Sequence, residues 1–284
     1  MIYLYYIGKF IALYFPLRVG YAIAYIASRL YYFFSVTDKS ELIDNIKIVV
    51  KDASDKECLK ISKNVFMNFA LYLFDFFRIP NIDMKFIDNN ISIEGRENLD
   101  EALKKYKGVI IISSHLGNWE LGAAVLSLMG YPVNAIVLDH KDKKVNDFFI
   151  KQRQSKGVNK ISINIELKKC FKVLKENKIL AILGDRDFSE NGERLKFFGK
   201  ETLLPKGPAV FSLRTGAPIV PAFLIRNGFN RYRFIFEKQI NHERTNNEKE
   251  DMNNLIMDYT AVIEKFVRHH PDQWYVFRSV WNHL

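Results

Sequence analysis

Short apolar runs alternate with amphipathic stretches from about residue 91 to the end of the chain. The apolar runs predict strands, and they cover residues 109–112, 133–138, 160–163, 179–183, 218–225 and 231–237. The stretches with helical spacing cover residues 118–129, 141–155, 166–177, 208–215 and 251–268. Strands that alternate with helices in this way favour an α/β fold, in which helices cover a central sheet.

The residues before position 91 follow a different, mostly helical pattern. Apolar positions recur at helical spacing over 54–78, and a shorter amphipathic stretch covers 37–50. No internal repeat, low-complexity tract or linker interrupts the chain. We therefore predict a membrane-associating helical segment followed by one domain, which consists of a helical lead-in and an α/β core. Their predicted bounds are 1–36 for the segment, 37–284 for the domain, 37–90 for the lead-in and 91–284 for the core.

The membrane prediction rests on the apolar character of residues 1–36. Only Lys9, Arg18 and Arg29 are charged there, and the uncharged runs between them are shorter than the ~20 residues of a spanning helix. Eight of the 14 tyrosines lie in this segment, and tyrosine favours the membrane interface. We expect a helix, or a helical pair broken near Pro16, at a bilayer surface. A tilted span, a cleaved signal peptide and a pair of core helices are the alternatives.

The chain is basic, with a formal net charge of +10, and the charge is unevenly distributed. Residues 141–178 contain 12 Lys or Arg and 4 Asp or Glu. Such a surface attracts an anionic partner, which could be nucleic acid, a lipid surface or an acidic carrier protein, although it is also typical of a solvated lysine-rich face. No zinc-finger, RNP-type or helix-turn-helix signature is present, which argues against nucleic acid.

The candidate chemistry lies directly after the first predicted strand of the α/β core, in the stretch SSHLGNWE at 113–120. Sites in α/β folds gather at the carboxyl ends of strands. A turn at Gly117 would place Glu120 in the first turn of the next helix, where it could face His115. Histidine can take a proton from a hydroxyl group, and a carboxylate on its other ring nitrogen would fix the tautomer. By spacing alone, a purely structural histidine is also compatible with this pattern.

Further blocks extend the pattern toward the end of the chain. They are Asp185-Arg186-Asp187, Phe197-Phe198-Gly199, Pro205-Lys206-Gly207-Pro208-Ala209, the run 214–221 and the block 270–274. Together with His115 to Glu120, which resembles an HxxxxE motif, these blocks resemble in order and spacing the bacterial lipid A biosynthesis acyltransferases. That family of lauroyl and myristoyl transferases belongs to a lysophospholipid acyltransferase-like superfamily. The resemblance covers almost the whole chain, including the apolar beginning.

The resemblance implies a mixed central sheet flanked by helices, as in glycerolphosphate acyltransferases. It also implies transfer of an acyl chain from an acyl carrier protein thioester to a hydroxyl of an anionic lipid A precursor. The reaction would take place at the cytoplasmic face of the inner membrane. His115 would be the general base and Glu120 its partner. We expect no metal, no cofactor and no acyl-enzyme, because Cys58 and Cys170 belong to no motif and no metal-ligand pattern exists.

The resemblance also implies a set of substrate-binding residues, namely Asn118, Trp119, Arg153, Asp185, Arg186, Asp187, Phe198, Gly199, Lys206 and Gly207. Arg153 could bind a phosphate, since a guanidinium can do so through two hydrogen bonds, and Asp185 and Asp187 could orient it or the acceptor. Arg186 stands where the family has glutamine, which leaves the acceptor open. A lysophospholipid or another glycolipid is the alternative acceptor, and a basic membrane-associated binding protein without catalysis is the alternative from another class.

Overall fold

A computed structural model describes residues 2–163, 167–188, 191–242, 245 and 247–281. The described strands are β1 (Ile91–Glu94), β2 (Val109–Ser113), β3 (Val133–Val137), β4 (Asn159–Ser162), β5 (Ile179–Leu183), β6 (Glu193–Phe197), β7 (Lys200–Leu204), β8 (Ile219–Arg226) and β9 (Tyr232–Phe236). The predicted α/β core is confirmed, and its six predicted strands all form within one or two residues of the expected bounds.

Seven of the described strands form one mixed sheet in the order β1-β9-β8-β2-β5-β3-β4. Five of them, β8, β2, β5, β3 and β4, are mutually parallel, whereas β9 pairs antiparallel with β8. Strand β2 lies in the middle, and all five of its residues are buried. A strand covered on both faces must be apolar along its whole length, which explains the run of valine and isoleucine at 109–112.

Helices cover both faces of the sheet. The described helices are α1 (Ile2–Tyr14), α2 (Leu17–Phe34), α3 (Val36–Val49), α4 (Asp55–Arg78), α5 (Met84–Asn90), α6 (Arg96–Leu103), α7 (Trp119–Leu128), α8 (Lys143–Gln154), α9 (Leu167–Lys175), α10 (Gly207–Thr215) and α11 (Glu248–His269). Helix α9 was predicted to start at residue 166, which lies outside the described residues. Because successive strand residues face opposite sides, Ile110 and Ile112 pack in one core with α11, and Val109 and Ile111 in another with α6 and α7.

Four elements were not predicted, namely β1, α5, α6 and the β6–β7 hairpin. Strand β1 is a four-residue edge strand that buries only its first residue, so its sequence carries little hydrophobic signal. From Arg194 onward the hairpin strand β6 alternates charged and apolar residues, and only its last residue, Phe197, belongs to a motif. Its turn is formed by Phe198 and Gly199, both with positive φ, at +52° and +81°. Two such residues are typical of a tight hairpin turn.

Helices α1 and α2 form the expected helical pair, and Pro16 separates them. They pack against α4, mainly through α2. Most of their large apolar side chains remain exposed, including Tyr3, Phe33 and Phe34, which are 74–76% accessible. Among the described residues, no helix combines the length and the apolar character that crossing a bilayer would require.

Candidate active site

The loop between β2 and α7 places the HxxxxE residues at the carboxyl edge of the sheet. Gly117 makes the turn with φ of +65°, and a Cβ atom at this position would lie 2.1 Å from the carbonyl oxygen of Leu224. Only glycine can therefore occupy the position. The Asn118 side chain accepts a hydrogen bond from the backbone N–H of Leu121 at 3.0 Å and so caps α7. The predicted turn from strand to helix is confirmed.

His115 is held by the carboxylate of Asp185, which follows β5. Strands β2 and β5 are parallel neighbours, so their carboxyl ends meet at one edge. The His115 ring nitrogen Nδ1 lies 2.9 Å from Asp185 Oδ1, and the His115 backbone N–H donates to Oδ2 at 2.9 Å. The indole N–H of Trp274 donates to the same Oδ2 at 2.9 Å. Asp185 is fully buried, whereas the imidazole keeps 18% of its surface accessible.

The surroundings of Asp185 keep its carboxylate charged. Burial raises the pKa of Asp185, but attraction to His115 and the hydrogen bonds from His115 and Trp274 outweigh it, so the pKa lies below its ordinary value. An ionised Asp185 accepts the Nδ1 proton of His115, which leaves the lone pair on Nε2. Nε2 makes no hydrogen bond with any described residue. The arrangement suits a general base, since the imidazole is still partly accessible to solvent.

Aromatic rings enclose the imidazole. Trp119 and Phe188 both meet the His115 ring edge to face, with centroids 5.2 Å and 6.0 Å away. Trp119 is fixed in turn by Tyr72, which stacks on it at 4.5 Å. These rings limit the rotation of the imidazole and give the opening of the site an apolar wall.

The prediction that Glu120 orients His115 is wrong in this structure. Glu120 does lie in the first turn of α7, but it faces α8 and forms a two-pronged ion pair with Arg153. Arg153 Nε donates to Oε2 at 2.8 Å and to Oε1 at 3.1 Å. Both side chains are almost fully buried. The pair joins α7 to α8 behind the loop, and Asp185 occupies the position expected for Glu120.

The same ion pair also bears on the prediction for Arg153. Asp185, one predicted partner, does not pair with Arg153, because Glu120 takes the Arg153 Nε and one Nη group. Binding of a phosphate by Arg153 stays a prediction. Burial lowers the pKa of Arg153, and the adjacent Glu120 carboxylate more than offsets this, so the pKa is raised and the charge is retained. Arg153 therefore helps to hold α8 against α7, the helix that follows the His115 loop.

Arg186 and Asp187 complete the segment after β5. The guanidinium of Arg186 lies over the ring of Phe188, 4.9 Å from its centroid, and it forms no ion pair with a described residue. Burial lowers the pKa of Arg186, and the neighbouring Asp185 partly offsets the effect. Asp187 accepts a hydrogen bond from the backbone N–H of Gly192 at 3.0 Å and so shapes the loop.

A sequence model described as bacterial lipid A biosynthesis acyltransferase matches residues 1–283. The chain belongs to this family. A phosphatidylinositol mannoside acyltransferase of Mycobacterium tuberculosis is 27% identical over 160 residues, 54% of this chain and 51% of that protein. Its counterpart in Mycolicibacterium smegmatis is 26% identical over 158 residues, 54% and 52% of the two chains. A lipid A biosynthesis palmitoleoyltransferase of Escherichia coli is 24% identical over 186 residues, 64% and 58%.

The chain spans about half the length of these curated relatives. Membership in the lipid A acyltransferase family confirms the resemblance of the sequence motifs. These relatives are named for two kinds of lipid, namely lipid A and phosphatidylinositol mannosides.

The later family motifs lie behind the site. Phe198 is buried against Trp274 and Trp281, with centroids 6.0 Å and 6.4 Å away. Lys206 precedes Gly207, the first residue of α10. None of the predicted residues Phe198, Gly199, Lys206 and Gly207 hydrogen-bonds or stacks with His115. The structure gives Phe198 a supporting role, since it backs the tryptophan that bonds Asp185.

Two structural features of the site were not predicted from the sequence. One is the role of Asp185 as the partner of His115, although the residue itself was singled out. The other is a buried cluster around Asp75 and Arg226, which lies beneath the loop. Its only sequence signal is a lone acidic residue, Asp75, inside the aromatic run 74–77.

Proposed function

We propose that this chain transfers a fatty acyl chain from an acyl carrier protein thioester to a hydroxyl group of a lipid A precursor. The observation that carries the proposal is the pairing of His115 with the buried carboxylate of Asp185. This pairing occurs at the carboxyl edge of the sheet in a member of an acyltransferase family. We assign the orienting role to Asp185, and we assign Glu120 a positioning role through Arg153.

The proposed reaction begins with proton transfer. His115 Nε2 takes the proton of the acceptor hydroxyl as the oxygen attacks the thioester carbonyl carbon. The carbon–sulfur bond then breaks, and the departing sulfur takes this proton from Nε2 and leaves as a thiol. Asp185 stabilises the imidazolium that exists between these steps. An acyl-enzyme forms no part of the proposal, and the burial of Cys58 and Cys170 supports this choice.

The developing oxyanion needs hydrogen-bond donors near His115. Gly117 and Asn118 already use their backbone N–H groups on Gln273 and Leu224. The N–H groups of Trp119 and Glu120, in the first turn of α7, are therefore the candidates. A helix N-terminus favours negative charge, which supports this assignment.

Charge near the site supports anionic substrates. Helices α8 and α9 follow parallel strands, so their first turns lie at the same edge of the sheet as His115. Lys143 and Lys144 begin α8 and Lys168 lies in the first turn of α9, and all three are exposed. We propose that this basic edge receives an acidic carrier protein, and that Arg186 meets a phosphate of the glycolipid.

We further propose that α1 and α2 lie at the surface of the inner membrane, with the catalytic domain facing the cytoplasm. Their exposed tyrosine and phenylalanine side chains support an interfacial position, and Lys9, Arg18 and Arg29 suit anionic headgroups. We propose no nucleic-acid partner.

A second acceptor is supported by the relatives named phosphatidylinositol mannoside acyltransferases. Another glycolipid or a lysophospholipid would use the same His115 chemistry and would differ only in the pocket for the acceptor. The candidate from another class, a basic membrane-associated binding protein without catalysis, would bind lipid and transfer nothing.

A defined assay separates these candidates. Purified protein receives acyl thioesters of carrier protein or of coenzyme A, and each donor is offered with a lipid A precursor, a lysophospholipid or a phosphatidylinositol mannoside. Mass spectrometry then reads which acceptor gains an acyl chain. We expect the lipid A precursor to be acylated, with loss of about 10³-fold or more in the His115→Ala variant. His269→Ala, on the exposed end of α11, is the matched control. A folded His115→Ala protein with full activity would contradict the proposal.

A further inference from the structure

A buried polar cluster lies beneath the His115 loop, where α4 meets the end of β8. Asp75 is 3% exposed and pairs with the guanidinium of Arg226, whose side chain is 9% exposed. The Tyr232 hydroxyl donates to Asp75 Oδ2 at 2.6 Å, and the Tyr21 hydroxyl donates to Oδ1 at 2.8 Å. A buried charge is tolerated only where hydrogen-bond partners compensate for its lost hydration, so the loss of any one of these hydrogen bonds destabilises the cluster.

Two hydrogen-bonded routes connect this cluster with the loop. In the first, Asn118 Nδ2 lies 3.4 Å from Asp75 Oδ2, and the same side chain caps α7. In the second, the Gln273 side chain bonds the backbone N–H and carbonyl of Arg226, both at 2.9 Å. The carbonyl of Gln273 then accepts from the Gly117 N–H at 2.9 Å. The two residues of the turn, Gly117 and Asn118, are therefore both hydrogen-bonded to residues that lead to the cluster.

The cluster also reaches α2, the second helix of the exposed pair. Tyr21 is one of the few buried residues of that helix, and its ring packs edge to face on Phe74 and Phe229. Its hydroxyl bonds Asp75 and also accepts from Arg226 Nη1 at 3.2 Å. Burial and the Asp75 charge raise the pKa of Tyr21 to about 12, so the hydroxyl stays protonated and can donate.

Steric contact also defines where α2 packs against α4. A Cβ atom on Gly20 would lie 2.0 Å from the Phe74 ring, so glycine lets α2 approach α4 closely at this point. Elsewhere on α2, the Tyr31 hydroxyl donates to Asp38 of α3 and the Tyr32 hydroxyl lies 3.4 Å from Ser62 Oγ of α4, but neither Asp38 nor Ser62 belongs to the cluster. Tyr21 therefore provides the polar connection from this helix to the cluster.

We propose that Tyr21, Asp75 and Arg226 couple the seating of α2 to the geometry of the loop from His115 to Glu120. Tyr21 is a positioning residue in this scheme. When α2 is packed against α4, the Tyr21 hydroxyl completes the hydrogen bonds of Asp75. Asp75 then holds Asn118 in place, and Gln273 holds Gly117. When α2 is displaced, Asp75 loses a donor and the loop loosens. The expected effect on transferase activity rests on the proposed function, whereas the expected loosening of the loop does not.

Tyr21→Phe tests the coupling, because it keeps the ring and removes only the hydroxyl. Amide hydrogen exchange read by mass spectrometry follows the loop without any substrate. We expect exchange over residues 117–121 to rise about tenfold in Tyr21→Phe, with the strands of the sheet unchanged. The matched control is Tyr131→Phe, since Tyr131 also bridges an aspartate and an arginine, Asp100 and Arg96, at the opposite edge. It should leave the loop as it is.

Kinetics provide the second measurement. Tyr21→Phe should lower kcat by about tenfold and change KM by less than about twofold, because the loop is loosened while the substrate surfaces remain. Tyr232→Phe removes the other tyrosine donor to Asp75 and should loosen the same loop, which separates the cluster from any direct effect of α2.

Three results would overturn the coupling. They are unchanged exchange of the loop in Tyr21→Phe, a rise spread evenly over the sheet, or an equal rise in Tyr131→Phe. A wild-type protein without transferase activity would instead contradict the proposed function, and the exchange comparison would still decide the coupling.

Discussion

The exposed pair α1–α2 and the loop from Ser114 to Asn118 depart from the usual distribution of residues in opposite directions. The pair exposes large aromatic side chains such as Phe34, which is 75% accessible. The loop rests on buried charges, namely the carboxylates of Asp185, Glu120 and Asp75. Soluble domains ordinarily bury aromatic rings and expose carboxylates. Each departure therefore supports the proposed function, in which the pair meets a membrane surface and the loop meets a reacting hydroxyl.

The two regions should also respond differently to substitution. An apolar surface acts through summed area, so each residue contributes a modest and roughly additive amount. A buried hydrogen-bonded carboxylate acts through single atoms, and loss of one atom changes a tautomer or leaves a charge unpaired. We expect large effects from single substitutions at the loop and small, graded effects on α1 and α2.

The largest effect is expected for Asp185→Asn. The amide can donate to Nδ1 of His115 and would then favour the tautomer with its proton on Nε2, which cannot act as a base. We expect kcat to fall by about 10³–10⁴-fold, as for other carboxylate–histidine pairs. The measurement is single-turnover acyl transfer in the defined assay, normalised to folded protein. A fall of less than about tenfold would remove Asp185 from the mechanism.

The next effect is expected for Glu120→Gln, and it should appear in stability. The substitution leaves Arg153 buried without a charged partner, which costs about 3 kcal/mol of the free energy of unfolding. Chemical denaturation measures this loss. Since the His115–Asp185 pair is intact, the folded variant should keep kcat within about tenfold of the wild type.

The double variant Glu120→Gln with Arg153→Met serves as the control for that experiment. It removes the unpaired charge and should recover part of the lost stability. Unchanged stability of Glu120→Gln together with a loss of kcat as large as that of Asp185→Asn would restore Glu120 as the partner of His115.

The smallest effect is expected for a single exposed residue of the helical pair. Phe33→Gln should weaken partition onto anionic phospholipid vesicles by about tenfold, because one aromatic side chain leaves the interface. Vesicle sedimentation measures the partition. Met257→Gln is the matched control, since Met257 is 53% exposed on α11 and lies outside the pair. Equal binding of wild type and Phe33→Gln would contradict the interfacial position of α2.

The sequence located His115 well and its partner poorly, for a physical reason. The strand before His115 is a continuous apolar run, and a glycine and a capping asparagine follow it, so the local pattern predicts its place at the sheet edge. Asp185 is 70 positions away, and it meets His115 only because β5 pairs with β2. Glu120 was the nearest carboxylate along the chain, but the first turn of α7 directs it toward Arg153.

A similar limit applies to the helical pair. Pro16 and the run of apolar residues predict two helices, and the structure contains them. The anchoring role of Tyr21 depends on Asp75 and Arg226, which are 54 and 205 positions away. Among eight tyrosines in one segment, nothing local distinguishes the one that turns inward.

The most direct test of the central claim is the tautomer of His115. Nitrogen NMR on protein with isotope-labelled histidine resolves the two ring nitrogens, and the chain has only six histidines. The His115 signals are assigned by their absence in His115→Ala. We predict a proton on Nδ1 in the wild type and in Glu120→Gln, and its loss from Nδ1 in Asp185→Asn. A proton on Nε2 in the wild type, or a tautomer that changes in Glu120→Gln and persists in Asp185→Asn, would contradict the account.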